Sequence, residues 1–338
     1  MKPRLAHVLG AVAAGLVLWP AAWQLRTIAA LFRARLSYPF DIEWMEGGNV
    51  YHAYRVLHGL PIYVAPESGF APFPYPPLYW IAVAAAGRMG GLDYATARAV
   101  SVGCIAGTSL LLAVVVARHA PARWLGAILG VVAMASIAAG YPMAGGSYDI
   151  ARNDAMAIAL PVLAATLLGD GRVSVARALG VAAVLVAALF TKQTAVFFVA
   201  WLMAFALTRG ARGGVVLAVA TAVASLLLFA WMQRGSGDWF GVWLFDQRHH
   251  PARLNRWADR FPVILRHAPF LLLLPALVGS LRRRRWLRPS TVKWVGMLCA
   301  AVAATVLVGL KDGSWLNTGI PVLVLSWPVT LMALGDLL

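Results

Sequence analysis

The sequence predicts an all-α protein, a polytopic bundle of transmembrane helices that fills residues 1–338 as one membrane domain. Three observations predict it. The chain is 61% hydrophobic and only 12% charged, with a mean hydropathy of +0.74. Apolar runs near the ~20 residues needed to span a bilayer recur from end to end, where a soluble domain would alternate apolar and polar faces. Arginines and lysines collect in short segments between the runs, as they do in loops kept in the cytoplasm. The net charge of +16 is therefore an orientation signal. No basic module interleaved with aromatic residues points to nucleic acid.

In order, the apolar runs cover about 5–31, 78–91, 99–117, 125–141, 155–168, 178–191, 194–208, 215–232, 263–281, 292–310 and 316–334. The first has a basic start and no clear cleavage site, so it reads as a retained span and not as a removed signal peptide. Residues 78–91 are too short to cross and carry Arg88, which suits a re-entrant or interfacial helix. The stretch 178–208 has basic loops at both ends, so the chain must turn within it, near Lys192. About 10 crossings result, with both termini in the cytoplasm. Every acidic residue except Asp170 and Asp336 then falls outside. Cys104 and Cys299 lie in apolar runs and read as small hydrophobic residues, not as a disulfide.

The outer face then carries two long loops, 36–77 and 233–262, together with the shorter polar stretches "YDIARND", "TKQT" and "KDGSWLN". The first contains "FDIEWMEGG", with Asp41, Glu43 and Glu46. If this stretch is helical, Glu43 and Glu46 share a face. Repulsion among the acids would then raise one pKa toward that of a general base. The competing reading is an interfacial helix capped by Asp41 and anchored by Trp44 and Tyr51. From this stretch alone the anchoring reading is the stronger. "FAPFPYPPLYW" follows, its prolines stiffening the lead into the next helix, with Pro77 near the first turn.

"SYDIARNDAMAIAL" places Asp149, Arg152 and Asp154 at the mouth of a span, where ionisable groups are costly unless paired or functional. Asp149 and Arg152 can pair at i,i+3, and Asp154 can cap the next helix. These readings stand level with ligand contact. In "FTKQTAVFF", Lys192 and Gln193 interrupt apolar sequence. A cation at such a turn binds phosphate by charge and hydrogen bonds, a reading favoured over snorkelling to headgroups. Lys311 in "KDGSWLN" ends an apolar run in the same way. In the basic loop "FDQRHHPARLNRWADR", His249 and His250 lack metal-like spacing, and attraction to phosphates or headgroups is the reading. The acidic cluster admits a divalent cation, although no spacing demands one.

Taken in order, these pieces resemble the GT-C superfamily of integral-membrane glycosyltransferases, which includes the protein O-mannosyltransferases and the bacterial aminoarabinose transferases. The resemblance rests on "EGGNVYHAYRVLHGLPIY" after the first span, "YPPLYW", "YDIARNDAMAIAL" and "FTKQTA", and less specifically on "KDGSWLNTGIP". It implies an inverting sugar transfer from a polyprenyl-phosphate donor, at the outer face of a bacterial cytoplasmic membrane. The acceptor, a glycan, a lipid or a protein, stays open. The implied catalytic carboxylates are Asp41, Glu43 and Glu46. Tyr75, Arg152, Lys192, Gln193 and Lys311 would bind the donor phosphate, with Asp149, Asp154 and His250 in support. Two departures stand out: Met45 occupies the position of an expected Asp, and Tyr75 that of a Lys before the Pro-Pro. The rival readings are a transporter or flippase for lipid-linked sugars, which would place charges near the bilayer centre in repeated halves, and a non-catalytic GT-C-like subunit.

The charge partition makes a direct prediction. In a background without Cys104 and Cys299, cysteines at Glu67 and Asp246 should react with a membrane-impermeant thiol reagent in intact cells. Cysteines at Arg212 and Arg284 should react only after permeabilisation. The reverse pattern would place the acidic loop on the cytoplasmic side.

Overall fold

The computed structural model describes residues 3–246, 251–283, 288–311 and 314–337. Every regular element among them is helical. The chain runs through α1 (Pro3–Leu36), α2 (Glu46–Leu57), α3 (Leu78–Gly90), α4 (Tyr94–His119), α5 (Arg123–Ala139), α6 (Asp154–Leu168) and α7 (Val175–Leu189). It continues through α8 (Val196–Thr208), α9 (Ala211–Gly235), α10 (Trp239–Phe245), α11 (Leu254–His267), α12 (Phe270–Arg283), α13 (Pro289–Gly309) and α14 (Ile320–Leu337).

Four helical segments are long and apolar enough to cross a membrane: Tyr94–His119, Ala211–Gly235, Pro289–Gly309 and Leu316–Leu337. A fifth forms if Phe261–His267 and Phe270–Arg282, which bend by 57°, count as one span. Helices α5 to α8 are apolar but shorter, at 13 to 17 residues. Helix length alone therefore does not reach about 10 crossings. The apolar helices make this an integral membrane protein. The two breaks expected from the sequence are present. Helix α3 has only 13 residues and leads through Asp93 directly into α4, whose first turn Asp93 caps by accepting the Thr96 N–H at 2.8 Å. Between α7 and α8 the backbone opens at Lys192 and re-forms through a 3-10 turn over Gln193–Ala195.

Helix α14 forms the centre of the bundle and packs against α4, α5, α6, α12 and α13. In lipid, water does not drive helices together, so small residues that allow close backbone approach carry much of the packing. A Cβ on Gly126 would lie 2.4 Å from the Ala117 carbonyl, and one on Gly213 would lie 2.0 Å from the Val173 carbonyl. Gly296 instead receives the Trp201 indole, whose N–H donates to the Lys293 carbonyl at 2.9 Å. A second, aromatic core lies under α2, α3 and α10. It includes Tyr63, Tyr79, Trp80, Phe190 and Phe240.

The two acids expected on the basic side, Asp170 and Asp336, meet at one end of the bundle. Lys293, only 2% exposed, pairs with Asp170 at 2.8 Å and also donates to the Gly169 carbonyl. Asp336 takes the Thr291 hydroxyl and pairs with Arg288 at 3.1 Å. The other buried charges gather at the opposite helix ends.

Gly213→Ala should be strongly destabilising, because a backbone carbonyl cannot move aside; overpacking of this kind costs about 1–3 kcal/mol. Gly180→Ala, where a Cβ meets nothing within 4 Å, is the matched control. Thermal unfolding in detergent should separate the two, and equal melting points would refute the close approach of α9 to the segment before α7.

Candidate active site

The site is built where helix ends and short turns meet: the loop after α1, the starts of α4 and α6, the break between α7 and α8, and the turn between α13 and α14. Its anchor is Glu46. This residue is fully buried, although it opens an amphipathic helix. Its carboxylate accepts two hydrogen bonds from Arg98 of α4, at 2.9 and 2.7 Å. It accepts two more from the Ile42 and Ala151 N–H groups, both at 2.7 Å. Burial pushes the Glu46 pKa up, but these bonds outweigh it and hold the carboxylate below its usual range. Arg98 spends its remaining donors on the Arg35, Tyr38 and Phe40 carbonyls, so the loop after α1 is tied down along its length. Asp41 completes the turn by accepting the Gly47 N–H at 2.7 Å. A side chain on Gly47 would crowd the Asp41 carboxylate, and one on Gly48 would collide with Phe73.

The helix begins at Glu46, so Glu43 lies before it and the two do not share a helix face, contrary to the expectation from their spacing. Glu43 points elsewhere. Its Oε1 receives Arg152 at 3.1 Å and its Oε2 receives the Met45 N–H at 3.0 Å, with 23% of the side chain exposed. Burial raises its pKa, and the pull of Arg152 does not cancel that rise. Glu43 is thus a partly accessible acid whose pKa lies above the ordinary carboxylate value.

Asp149 and Arg152 do not pair with each other. Asp149 is drawn to Arg35 of α1 at 2.8 Å, a charge contact without hydrogen-bond alignment, and accepts the Tyr141 hydroxyl at 3.0 Å. Burial raises its pKa. Arg152 bridges Glu43 and Asp154, the latter at 3.2 Å. Asp154 does not act as a side-chain helix cap either. It is the first residue of α6 and is spent on a tighter cluster, taking Lys192 and the Asn317 amide, the second at 3.1 Å. The result is a chain of alternating charge, Glu43–Arg152–Asp154–Lys192, which ends beside Tyr75. The Lys192 ammonium sits 5.8 Å from the Tyr75 ring centroid. Gln193 donates to the Pro74 carbonyl at 2.9 Å, while its amide oxygen is buried without a hydrogen-bond partner among the described residues. It also lines an apolar groove of about 420 Å³ between Pro76, Leu189, Phe229 and Phe240.

The aromatic core supports this wall. Asn49 accepts the Trp80 indole N–H at 2.7 Å, and His52 stacks on Trp80 with ring centroids 4.2 Å apart. His52 accepts the Phe73 N–H, and burial holds its pKa down at about 4, so the ring is neutral at physiological pH.

The sequence matches no family model and no curated protein. Its fold does match solved structures. ArnT from Cupriavidus metallidurans in the apo state aligns with a TM-score of 0.62 at 16% identity, covering 95% of this chain and 60% of that one. The chain thus shares the fold of that structure. ArnT from the same organism bound to undecaprenyl phosphate aligns with a TM-score of 0.62 at 15% identity, covering 92% of this chain and 59% of that one. The chain therefore spans about 60% of the length of the solved structures it matches.

Within this fold, the expected residues Glu43, Tyr75, Arg152, Asp154, Lys192 and Gln193 come together. Asp41 and Glu46 lie on the supporting side, and Asp149 forms a separate pair. Lys311 does not join the cluster by any ion pair or side-chain hydrogen bond among the described residues; Asn317 from the same turn takes that place. His250 lies outside the described residues. No group of three carboxylate, histidine or cysteine side chains that could hold a metal converges among the described residues. Sequence reasoning missed Arg98, Arg35 and Asn317. Arg98 carried a usable signal, because a charge at the head of an apolar run needs a partner.

Breaking a buried ion pair leaves an uncompensated charge, which typically costs about 3–5 kcal/mol. Arg98→Met should therefore lower the yield of folded protein sharply and free the first loop for proteolysis. Limited proteolysis and size-exclusion chromatography check this, and a monodisperse, protease-resistant variant would overturn the anchoring role.

Proposed function

We propose that this protein is a membrane glycosyltransferase that moves a sugar from a polyprenyl-phosphate donor to an acceptor hydroxyl, with inversion, at the outer face of the membrane. The observation that carries this reading is the Glu43–Arg152–Asp154–Lys192 chain, an accessible acid of raised pKa paired with one cation that a buried carboxylate links to a second. The fold is supporting, since a structure with the same architecture holds undecaprenyl phosphate. The apolar groove beside Gln193 suits a polyprenyl tail.

Glu43 is the proposed general base. It takes the proton from the acceptor hydroxyl as that oxygen attacks the anomeric carbon. The bond from that carbon to the phosphate oxygen breaks, and the electron pair leaves with the lipid phosphate. Lys192, Arg152 and the Tyr75 hydroxyl receive the developing charge. The four charged groups sum to zero while Glu43 is ionised, and to +1 once it has taken the proton. The cluster thus becomes more attractive to the phosphate at the moment the phosphate departs. Asp154 keeps two like charges close together. Glu46, with all its lone pairs used and its pKa lowered, positions the loop and does not exchange protons. Asp41 belongs with it as a turn-forming residue.

Purified protein with a polyprenyl-phosphate sugar tests the reading. Glu43→Gln should fold and retain donor but lose about 10²–10⁴-fold in transfer, the usual contribution of a general base. Lys192→Ala should weaken donor binding by about 1.5–3 kcal/mol, the worth of a charge-assisted bond. Because Glu43 must be ionised, wild-type turnover should fall as pH drops through a pKa above 4.5, and that limb should vanish in Glu43→Gln. A Glu43→Gln enzyme with near-wild-type turnover would remove Glu43 from the chemistry. Donor binding without transfer to any hydroxyl acceptor would return the protein to a binding or transport role.

A further inference from the structure

Helix α2 turns one face inward, with Glu46, Asn49, His52 and Ala53 buried. Three rings stay outside: Trp44, just before the helix, is 76% exposed, and Tyr51 and Tyr54 are 47% and 42% exposed. The proposed chemistry uses none of them. Each ring nevertheless has a fixed seat. Trp44 stands edge-on to Phe73 with centroids 6.2 Å apart, Tyr51 stands edge-on to Phe70 at 5.6 Å, and Tyr54 lies parallel to Tyr51 at 6.0 Å. The seats are themselves held. Phe73 presses on Gly48, where a Cβ would lie 2.4 Å from its ring, and stacks on His52 at 4.9 Å. Phe70 meets the same His52 at 5.2 Å and carries the Arg55 guanidinium at 4.0 Å, which donates twice to the Pro61 carbonyl.

The row of rings is continuous with the charge chain at one end. Trp44 directly follows Glu43, and its seat Phe73 is two residues from Tyr75, which lies beside Lys192. From there the row leads away, because three residues of chain put Phe70 at most about 11 Å from Phe73. A ring that only anchors a protein in lipid headgroups needs a depth and no particular orientation. Rings locked by their neighbours are instead preorganised for a ligand with a flat apolar face. A sugar has that shape, with C–H groups on the faces of its ring and hydroxyls around the rim. Trp and Tyr match it, with flat apolar bodies and polar tips. The ligand next to Glu43 must also bring a hydroxyl to that carboxylate. We propose that Trp44, Tyr51 and Tyr54 form the acceptor subsite and that the acceptor is a glycan, its sugar rings lying on these side chains and its terminal hydroxyl reaching Glu43. This substrate class rests on the transfer reaction proposed above.

Binding without donor tests the subsite separately from the reaction. Full-length protein in phosphatidylcholine discs is mixed with linear hexasaccharides of mannose, galactose or arabinose, or with the free sugars, and saturation transfer from protein to sugar is read by NMR. At least one hexasaccharide should bind, more tightly than its free sugar, with saturation strongest at its ring C–H protons. Trp44→Leu keeps an apolar side chain but removes the flat face, and should weaken binding about 2- to 10-fold, the range of one aromatic contact. Trp44→Phe should keep most of the affinity, and Trp44→Leu with Tyr51→Leu should abolish it. All these positions are exposed, so melting temperatures should match wild type. Glu43→Gln should bind the same hexasaccharide, so failure of the reaction would show as absent transfer with glycan binding intact. No bound hexasaccharide, or equal binding in wild type and the double leucine variant, would overturn the subsite. Binding in detergent that disappears in the discs would overturn it too, by placing the rings among lipid headgroups. Displacement of the sugar by a serine-rich peptide would overturn the glycan in favour of a protein acceptor.

Discussion

Everything at this end of the molecule depends on one buried ion pair. Glu46 and Arg98 are both fully buried, and each ion loses several kcal/mol of hydration on leaving water. The pair persists because both carboxylate oxygens and all five guanidinium protons are used. Two of the bonds come from backbone N–H groups, those of Ile42 in the loop after α1 and Ala151 in the loop before α6. Three more reach carbonyls in the last turn of α1 and just after it. One side-chain contact thus joins two segments that have no regular structure to hold them, the loop after α1 and the loop before α6. A loop that would otherwise move with solvent becomes a wall, and Glu43 projects from that wall at a fixed height above α6.

A second constraint is electrostatic neutrality. Buried charges in this bundle come in chains and not in isolation: Arg35 with Asp149, Arg152 between Glu43 and Asp154, and Lys192 on Asp154. Neutral chains are tolerated at low dielectric, but they are sensitive to a single proton, since removing one charge leaves its neighbour unopposed. That sensitivity is what lets the same residues hold a stable fold and respond to a proton arriving at Glu43. The opposite end of the bundle has its own neutral set, with Lys293 on Asp170 and Arg288 on Asp336. The two sets lie at opposite helix ends, so the helices between them can be packed almost wholly by apolar and small residues.

The aromatic core under α2 and α3 makes the connection between these parts. Residues 37–45 and 58–77 hold no regular structure beyond one short turn, and stacking of His52, Phe73 and Trp80 gives them a shape. Tyr63 donates to the Tyr75 carbonyl at 2.7 Å, and Gln193 to the Pro74 carbonyl. The proline-rich stretch is thereby clamped from both sides, which keeps Tyr75 beside Lys192.

The sequence by itself determined the class of the fold, the break at Lys192, the shortness of α3 and the convergence of Glu43, Arg152 and Lys192 on one end. These properties follow from local quantities: the length of apolar runs, the signs of charges at their ends and the parity of crossings between them. It could not determine which acid does what. Asp41, Glu43 and Glu46 are equivalent as letters spaced two and three apart. Their roles differ because Arg98, more than fifty residues away, takes Glu46, while a backbone N–H takes Asp41 and Arg152 leaves Glu43 half open. The same holds for Asp149 and Asp154, whose partners Arg35, Lys192 and Asn317 come from distant helices. Pairing of buried charges is decided by what the packed helices bring within reach, and that distance is set only when the tertiary structure forms.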